Sequence, residues 1–374
     1  MFKQFVPIVA LVVCASAVTT AVPAQEPPVK SEAAPAPAQD AMPSPKVPEH
    51  DALRSFIGSW TSTMRTEAVP GVPGMETAME VEGRGRVELV CDGMWAKCSV
   101  EGEFNGQPFQ GLWLAGYDPF DKQYVSMWVD NNEPTPSEMT GTYDKQTNRW
   151  AWHGTCPFGE MRSEIVWKDA DTMVETMWLT PPGGEELQTM QVTRKRDASK
   201  PSIGSVAEAT LRDVAKSSPE VAALHEDIGT WSATVSMVFD PSAPASEESA
   251  RERVTPICGG KYLWTDFNGS MMGAPFEGHA IVGYDSTAGE MVSYWIDSMS
   301  ATWARTSGKF DADADSVTLD GTCRGPDGGT MNMRETMTRK GPNNRHARME
   351  FSIEGMDGKH VMEIDYVRES GAKR

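Results

Sequence analysis

The segment 91–130 is written a second time at 258–297, and this internal repeat constrains the fold more than any other feature of the chain. At a constant offset of 167 (258 less 91), Cys91, Gly93, Gly102, Gly106, Pro108, Phe109, Gly111, Gly116, Tyr117, Asp118, Val125, Ser126, Trp128 and Asp130 each recur. The likeness extends back to Ile57-Gly58-x-Trp60 against Ile228-Gly229-x-Trp231. It extends forward to Gly154-Thr155-Cys156 against Gly321-Thr322-Cys323. A repeat of this length is far beyond a solenoid or propeller unit, so each copy is expected to close its own core.

Within each copy, short runs rich in Val, Thr, Trp, Tyr and Phe alternate with Gly, Asp, Asn and Pro, which is the pattern of strands and turns. Turn signals at Asp92-Gly93, Asn105-Gly106, Asp118-Pro119, Asn131-Asn132, Asp144 to Asn148, Asp169 to Asp171 and Pro182-Gly183-Gly184 divide the first copy. They cut it into about ten strands joined by tight hairpins, an up-and-down meander. An open meander would leave unpaired edges. The spacing therefore predicts an all-β chain of two tandem up-and-down antiparallel β-barrels, each preceded by a short helix. The first barrel is expected over 49–197, a helical linker over 198–220 and the second barrel over 221–370. In the linker, Ser218-Pro219-Glu220 reads as an N-cap followed by Pro at the first helical position. Pro48 to Phe56 holds the corresponding place before the first barrel. Val206, Leu211, Val214, Val221 and Leu224 make the linker apolar rather than Gly/Ser-rich, so the barrels are expected to dock against each other.

Residues 1–24 carry one charge, Lys3, then an apolar run from Phe5 to Val13, then Val22-Pro23-Ala24. This reads as a secretory signal peptide, and the mature protein is expected to be exported, periplasmic or secreted. Anchoring through a lipid on Cys14 is the lesser reading, because Val13 is bulky where a small residue is wanted. Residues 25–48 are a Pro/Ala-rich stretch expected to serve as an extended tether. No stretch approaches the roughly 20 apolar residues of a membrane helix. The formal net charge is −19, and no basic patch is visible, so nucleic acid is not an expected partner.

A short N-terminal helix, Gly-x-Trp opening the first strand and a basic residue ending the meander resemble the calycin superfamily of lipocalin-like barrels. That resemblance implies a late Arg stacked over the first-strand Trp, as Trp60 with Arg196 and Trp231 with Arg368. Pro-Phe-x-Gly-x(4)-Gly-Tyr-Asp followed by Val-Ser-x-Trp-x-Asp, at Pro108 to Asp130 and Pro275 to Asp297, is similar to the bacterial family known as domain of unknown function 1579. The Pro-Pro-Gly-Gly-Glu-Glu of Pro181 to Glu186 supports that likeness, and the second copy lacks it. The family implies a fold and no mechanism.

Five cysteines follow the leader, and both 156 less 91 and 323 less 258 equal 65. In an exported protein this suggests intradomain disulfides Cys91–Cys156 and Cys258–Cys323. Against them, the meander count puts Cys91 and Cys156 at opposite barrel ends, and a disulfide needs Cα atoms within about 7 Å. Cys98 has no counterpart. No C-x-x-C or H-E-x-x-H spacing occurs, so no metal or other cofactor is expected. A metal or haem site at His279 and Cu(I) on the methionines are the lesser readings. No G-x-S-x-G elbow or phosphate-binding Gly loop occurs, and no catalytic residue is singled out.

What recurs is a polar-aromatic row. Residues two apart in a strand share a face, which groups Ser126, Trp128 and Asp130, and likewise Ser293, Trp295 and Asp297. The opposite rows are Val125, Met127, Val129 and Val292, Tyr294, Ile296. Either row could point inward. If the polar-aromatic row does, it lines a lumen together with Trp113, Tyr117 and Tyr284, suited to a small apolar or amphipathic molecule. The alternatives are an enzyme using Asp130 and Asp297 as acid-base groups, or a cell-envelope interaction protein without a small ligand.

Overall fold

The computed structural model describes residues 44–370 apart from 70–75, 105, 200–202, 239–245, 272, 326 and 354–359. The expected signal peptide, and the tether up to residue 43, lie outside the described residues. The first barrel runs β1 (Gly58–Thr66), β2 (Met79–Val90), β3 (Trp95–Phe104), β4 (Gln107–Asp118), β5 (Gln123–Asp130), β6 (Ser137–Asp144), β7 (Arg149–Cys156), β8 (Gly159–Trp167), β9 (Thr172–Thr180) and β10 (Leu187–Arg196). The second runs β11 (Gly229–Val238), β12 (Ser246–Ile257), β13 (Tyr262–Met271), β14 (Ala274–Asp285), β15 (Glu290–Asp297), β16 (Ser300–Asp311), β17 (Ser316–Arg324), β18 (Thr330–Arg339), β19 (Asn344–Ile353) and β20 (His360–Arg368). Each set is an antiparallel meander closed by pairing its last strand with its first. Closure leaves no edge strand to template aggregation.

A short helix leads into each barrel and blocks one end. A 3-10 helix, Pro48–Phe56, buries Leu53 and Phe56 beneath the first barrel. The α-helix Pro219–His225, here α2, is capped by Ser218, whose hydroxyl accepts the Val221 amide, and buries Val221, Ala223 and Leu224 under the second. The Trp–Arg closure is present in both copies. Arg196 lies 4.4 Å over the Trp60 ring and donates to the Ser55 carbonyl at 2.8 Å. Arg368 lies 4.0 Å over Trp231 and donates to the Glu226 and Ile228 carbonyls at 2.6 Å. Each Arg thereby satisfies carbonyls at the end of the leading helix, groups that a helix terminus leaves without intrahelical partners.

The barrels dock as the apolar linker predicts. One apolar cluster joins Met94, Trp95, Leu112, Leu114, Val125, Met127 and Val129 of the first to Tyr262, Trp264, Ile281, Val292, Tyr294 and Ile296 of the second. Trp95 stacks on Trp303 at 5.8 Å. Polar contacts rim it: Thr135 donates to Asp285 at 2.7 Å, and Arg324 pairs with Asp121 at 2.7 Å. Because Asp121 follows β4 at the blocked end of one barrel and Arg324 ends β17 at the open end of the other, the barrels lie head to tail. The linker also docks. Gly204 accepts from Gln110 at 3.2 Å, Leu211 of α1 (Glu208–Val214) lies over Gly260, and His225 meets the Gly260 carbonyl at 2.7 Å. Among the described residues no helix is long and apolar enough to cross a membrane.

Candidate functional site

Strand register settles which row faces inward. Trp113 pairs with Trp128, Ala115 with Ser126 and Tyr117 with Tyr124, and Ala115 and Tyr117 belong to the interior cluster with Trp60, Trp150 and Trp152. Trp113, Tyr117, Ser126, Trp128 and Asp130 therefore face the first lumen, and Tyr284, Ser293, Trp295 and Asp297 the second. The apolar rows Val125, Met127, Val129 and Val292, Tyr294, Ile296 face outward, where the partner barrel covers them. Both faces of β5 and β15 are buried, one by the lumen and one by the junction.

The repeated motif itself proves architectural. Trp128 donates to Asp130 at 2.6 Å, and the other Asp130 oxygen accepts the Asn132 and Glu133 amides at 2.6 and 2.7 Å. In the second copy Trp295 donates to Asp297 at 2.9 Å, and Asp297 caps the Met299 amide at 2.8 Å. Phe109 stacks on Trp128 and Phe276 on Trp295. Gly111 and Gly278 are required by contact, since a Cβ at either would sit 2.4 Å from an indole carbon. Both oxygens of each Asp are engaged in holding a strand end and an indole, which leaves the acid-base alternative without a free catalytic group.

The disulfides are a correction. All five described cysteines are free. Cys91 lies at the blocked end of its barrel, and Cys156 ends β7 at the open end. Strands of eight to ten residues at ~3.3 Å per residue separate the two ends far beyond disulfide reach. The same holds for Cys258 and Cys323.

The chemistry inside the lumens comes from residues that do not repeat. In the first barrel Arg194 donates to Glu175 at 2.7 Å, and Ser163 donates to the other Glu175 oxygen at 2.7 Å. Register places all three on the lumen face. Cys98 shares this chamber, and burial pushes its thiol up to about 11. Although they point into a barrel, the Arg194 and Glu175 side chains keep 23% and 16% exposure. The lumen-facing Trp113, Trp128, Met139, Met161 and Met177 are likewise only partly buried, so side chains do not fill the chamber around the pair.

At the blocked end of the second barrel lies a buried ionic cluster. Arg345, 3% exposed, bonds Glu252, 7% exposed, and pairs with Asp227 at 3.4 Å. It is sandwiched between Trp231 and Tyr366, 4.3 Å from each ring. Nearby Glu335 is raised to about 7, by burial first and then by repulsion from Glu252, with Arg345 opposing. None of Glu175, Arg194, Glu252, Glu335 or Arg345 was marked by spacing or repetition. The available signal was a charged residue on the lumen-facing parity of a strand. Two surface depressions of about 410 and 330 Å³ lie outside these chambers, on the outer face of β1 and β10 and beside Trp167 at the blocked end.

The junction between the barrels holds a further cluster. Cys91 of the first barrel and Glu277 and His279 of β14 bring one ligand-type atom each to within 4.8 Å of one another. His279 meets Asp266 through Nδ1 at 3.1 Å and Glu277 through Nε2 at 3.0 Å. Burial disfavours its charge, but these two carboxylates outweigh burial and raise its pKa. The Cys91 amide donates to Glu277 at 3.0 Å.

Closed ten-stranded meanders with a leading helix and a Trp–Arg closure define a tandem calycin-like barrel protein. The family described as protein of unknown function DUF1579 matches residues 45–196 and again 216–368, once per barrel. The chain belongs to that family. Among solved structures it is similar to the S-type phycobiliprotein lyase of Guillardia theta, at 14% identity over 41% of this chain and 94% of that one, with a TM-score of 0.30. The M. tuberculosis protein Rv2717c is similar at 12% identity over 40% and 98%, with a TM-score of 0.32. A DUF3598-family protein of unknown function from Nostoc punctiforme is similar at 8% identity over 87% and 100%, with a TM-score of 0.24. No curated protein matches the chain.

Proposed function

We propose that this is an exported binding protein that holds a small apolar or amphipathic molecule in the lumen of the first barrel. The observation that carries the reading is the solvent-reached Glu175–Arg194 pair, backed by Ser163, inside an otherwise aromatic and methionine-lined chamber. A charged pair in a filled core costs several kcal/mol per ion in desolvation and is seldom repaid by its own attraction. In an open lumen it is instead one of the few convergent polar groups that orient a ligand against an apolar wall. The apolar part of the molecule would lie against Trp113, Trp152 and Met139, its polar end toward Glu175 and Arg194. Export rests on the leader-like residues 1–24.

Native mass spectrometry of the chain purified from its own host tests this. The expected result is a bound small molecule that is lost from a Ser62→Phe variant, in which a ring projects from β1 into the lumen beside Arg194. A chain that always flies at the mass of its processed polypeptide alone, and that fails to bind anilinonaphthalene sulfonate, would contradict it.

A further inference from the structure

We propose that Cys91 of the first barrel and Glu277 and His279 of the second form a Zn²⁺ site that clamps the two barrels at one of their two related junctions. The three donors are a thiol, an imidazole and a carboxylate, the mixed set that suits zinc rather than magnesium or calcium. Their ligand atoms already lie within 4.8 Å of one another. Tetrahedral coordination at bond lengths of about 2.0–2.3 Å needs the widest of these separations to shrink by about 1 Å, which side-chain rotation supplies.

The surroundings are also those of a metal site. Histidine ligands commonly donate their second ring N–H to a carboxylate, which fixes the ring and its tautomer. Here His279 Nδ1 meets Asp266 at 3.1 Å, leaving Nε2 aimed at Glu277. Asp266 is itself held by the Trp264 indole at 2.6 Å, and the imidazole stacks on that ring, 4.9 Å between centroids. Cys91 and His279 are buried, while Glu277, with 36% of its side chain exposed, gives the ion a path in and leaves the fourth position to water. Binding replaces the Cys91 Sγ proton and the His279 Nε2 proton with the metal and releases both protons to solvent.

The molecule contains its own control. At the related junction Cys258 stands for Cys91, Gln110 for Glu277 and Leu112 for His279. There Gln110 accepts the Gly259 amide at 3.0 Å and the Cys258 thiol donates to the Val129 carbonyl. The backbone contact is kept, and two of the three donors are missing.

The test uses the full chain stripped of metal and titrated with Zn²⁺ and Co²⁺. The expected result is one Zn²⁺ per chain by native mass spectrometry and a near-ultraviolet thiolate-to-cobalt band. Cys91→Ser is expected to abolish the band and Cys258→Ser to keep it. His279→Leu, which installs the residue already present at Leu112, leaves the thiol intact and is expected to weaken Zn²⁺ by more than about 100-fold, the upper end for loss of an outer-shell partner. Asp266→Asn is expected to weaken it by about 10-fold. No bound zinc, no cobalt band, or equal metal binding in His279→Leu and the parent would each overturn the site. None of these readouts depends on the lumen ligand.

Discussion

The blocked ends of the two barrels meet the same packing problem with opposite chemistry. Four residues before the first-strand Trp stands Phe56 in one copy and Asp227 in the other, and in both the indole donates to that residue's carbonyl at 2.9 Å. Phe56 packs among Trp113, Trp150 and Trp167. Asp227 pairs with Arg339 at 2.9 Å and with Arg345 at 3.4 Å. The strand pairs match as well, Trp167 with Met173 in one barrel and Arg339 with Arg345 in the other. The aromatic plug carries no ionised group, although the Trp150 and Trp167 indole N–H groups have no hydrogen-bond partner there, and the charged pair of the first barrel sits higher and partly exposed. The second barrel uses its charges to seal that end. The lesson is that one fold closes the same end with aromatic rings in one copy and with a charged network in the other.

Breaking the ionic plug should have the largest effect. Arg345→Met leaves Glu252 and Asp227 buried beside an apolar side chain, and denaturant unfolding is expected to show a loss of about 3–5 kcal/mol. Adding Asp227→Phe, Arg339→Trp and Glu252→Gly, the first barrel's residues, should recover most of it. Arg194→Met, in the hydrated lumen, is expected to cost about 1 kcal/mol or less.

The second barrel should also respond to pH where the first has Ser163 at the corresponding register position. Glu335 is raised from 4.5 to about 7. Between those values the folded chain holds a proton that the unfolded chain has released, so this contribution is full below about 4.5 and is lost as pH rises through about 7. The shift corresponds to at most about 3 kcal/mol. Unfolding followed across that window should show stability falling as pH rises, and Glu335→Gln should flatten the slope. Smaller still is the contrast between equivalent β-strand positions two after each Trp. Ala233, 4% exposed, has no room, and Ala233→Phe is expected to cost about 1–3 kcal/mol. Ser62→Phe should stay within about 0.5 kcal/mol because its ring enters open space.

Turn chemistry made the fold legible. Asp118, read from sequence as a turn residue, and its repeat Asp285 cap the amides that follow them, and Trp60 and Trp231 lie under their late Arg partners as the calycin resemblance implies. The inward face was not legible, because alternation identifies a buried row only when its opposite is solvated. Here Met127 and Tyr294 are covered by the other barrel. The repeat drew attention to Trp128, Asp130, Trp295 and Asp297, which hold architecture common to both copies, while the charged lumen residues are those that differ. Cys91 and His279 lie 188 positions apart (279 less 91) on different barrels, so no local spacing could join them.

The central proposal is that the lumen of the first barrel takes a small amphipathic molecule, and binding of anilinonaphthalene sulfonate to the full chain addresses it most directly. The account predicts a single saturable site that Ser62→Phe eliminates while the far-ultraviolet dichroism stays unchanged. Loss of that site in Glu335→Gln with retention in Ser62→Phe, or equal binding by both variants and the parent, would contradict it.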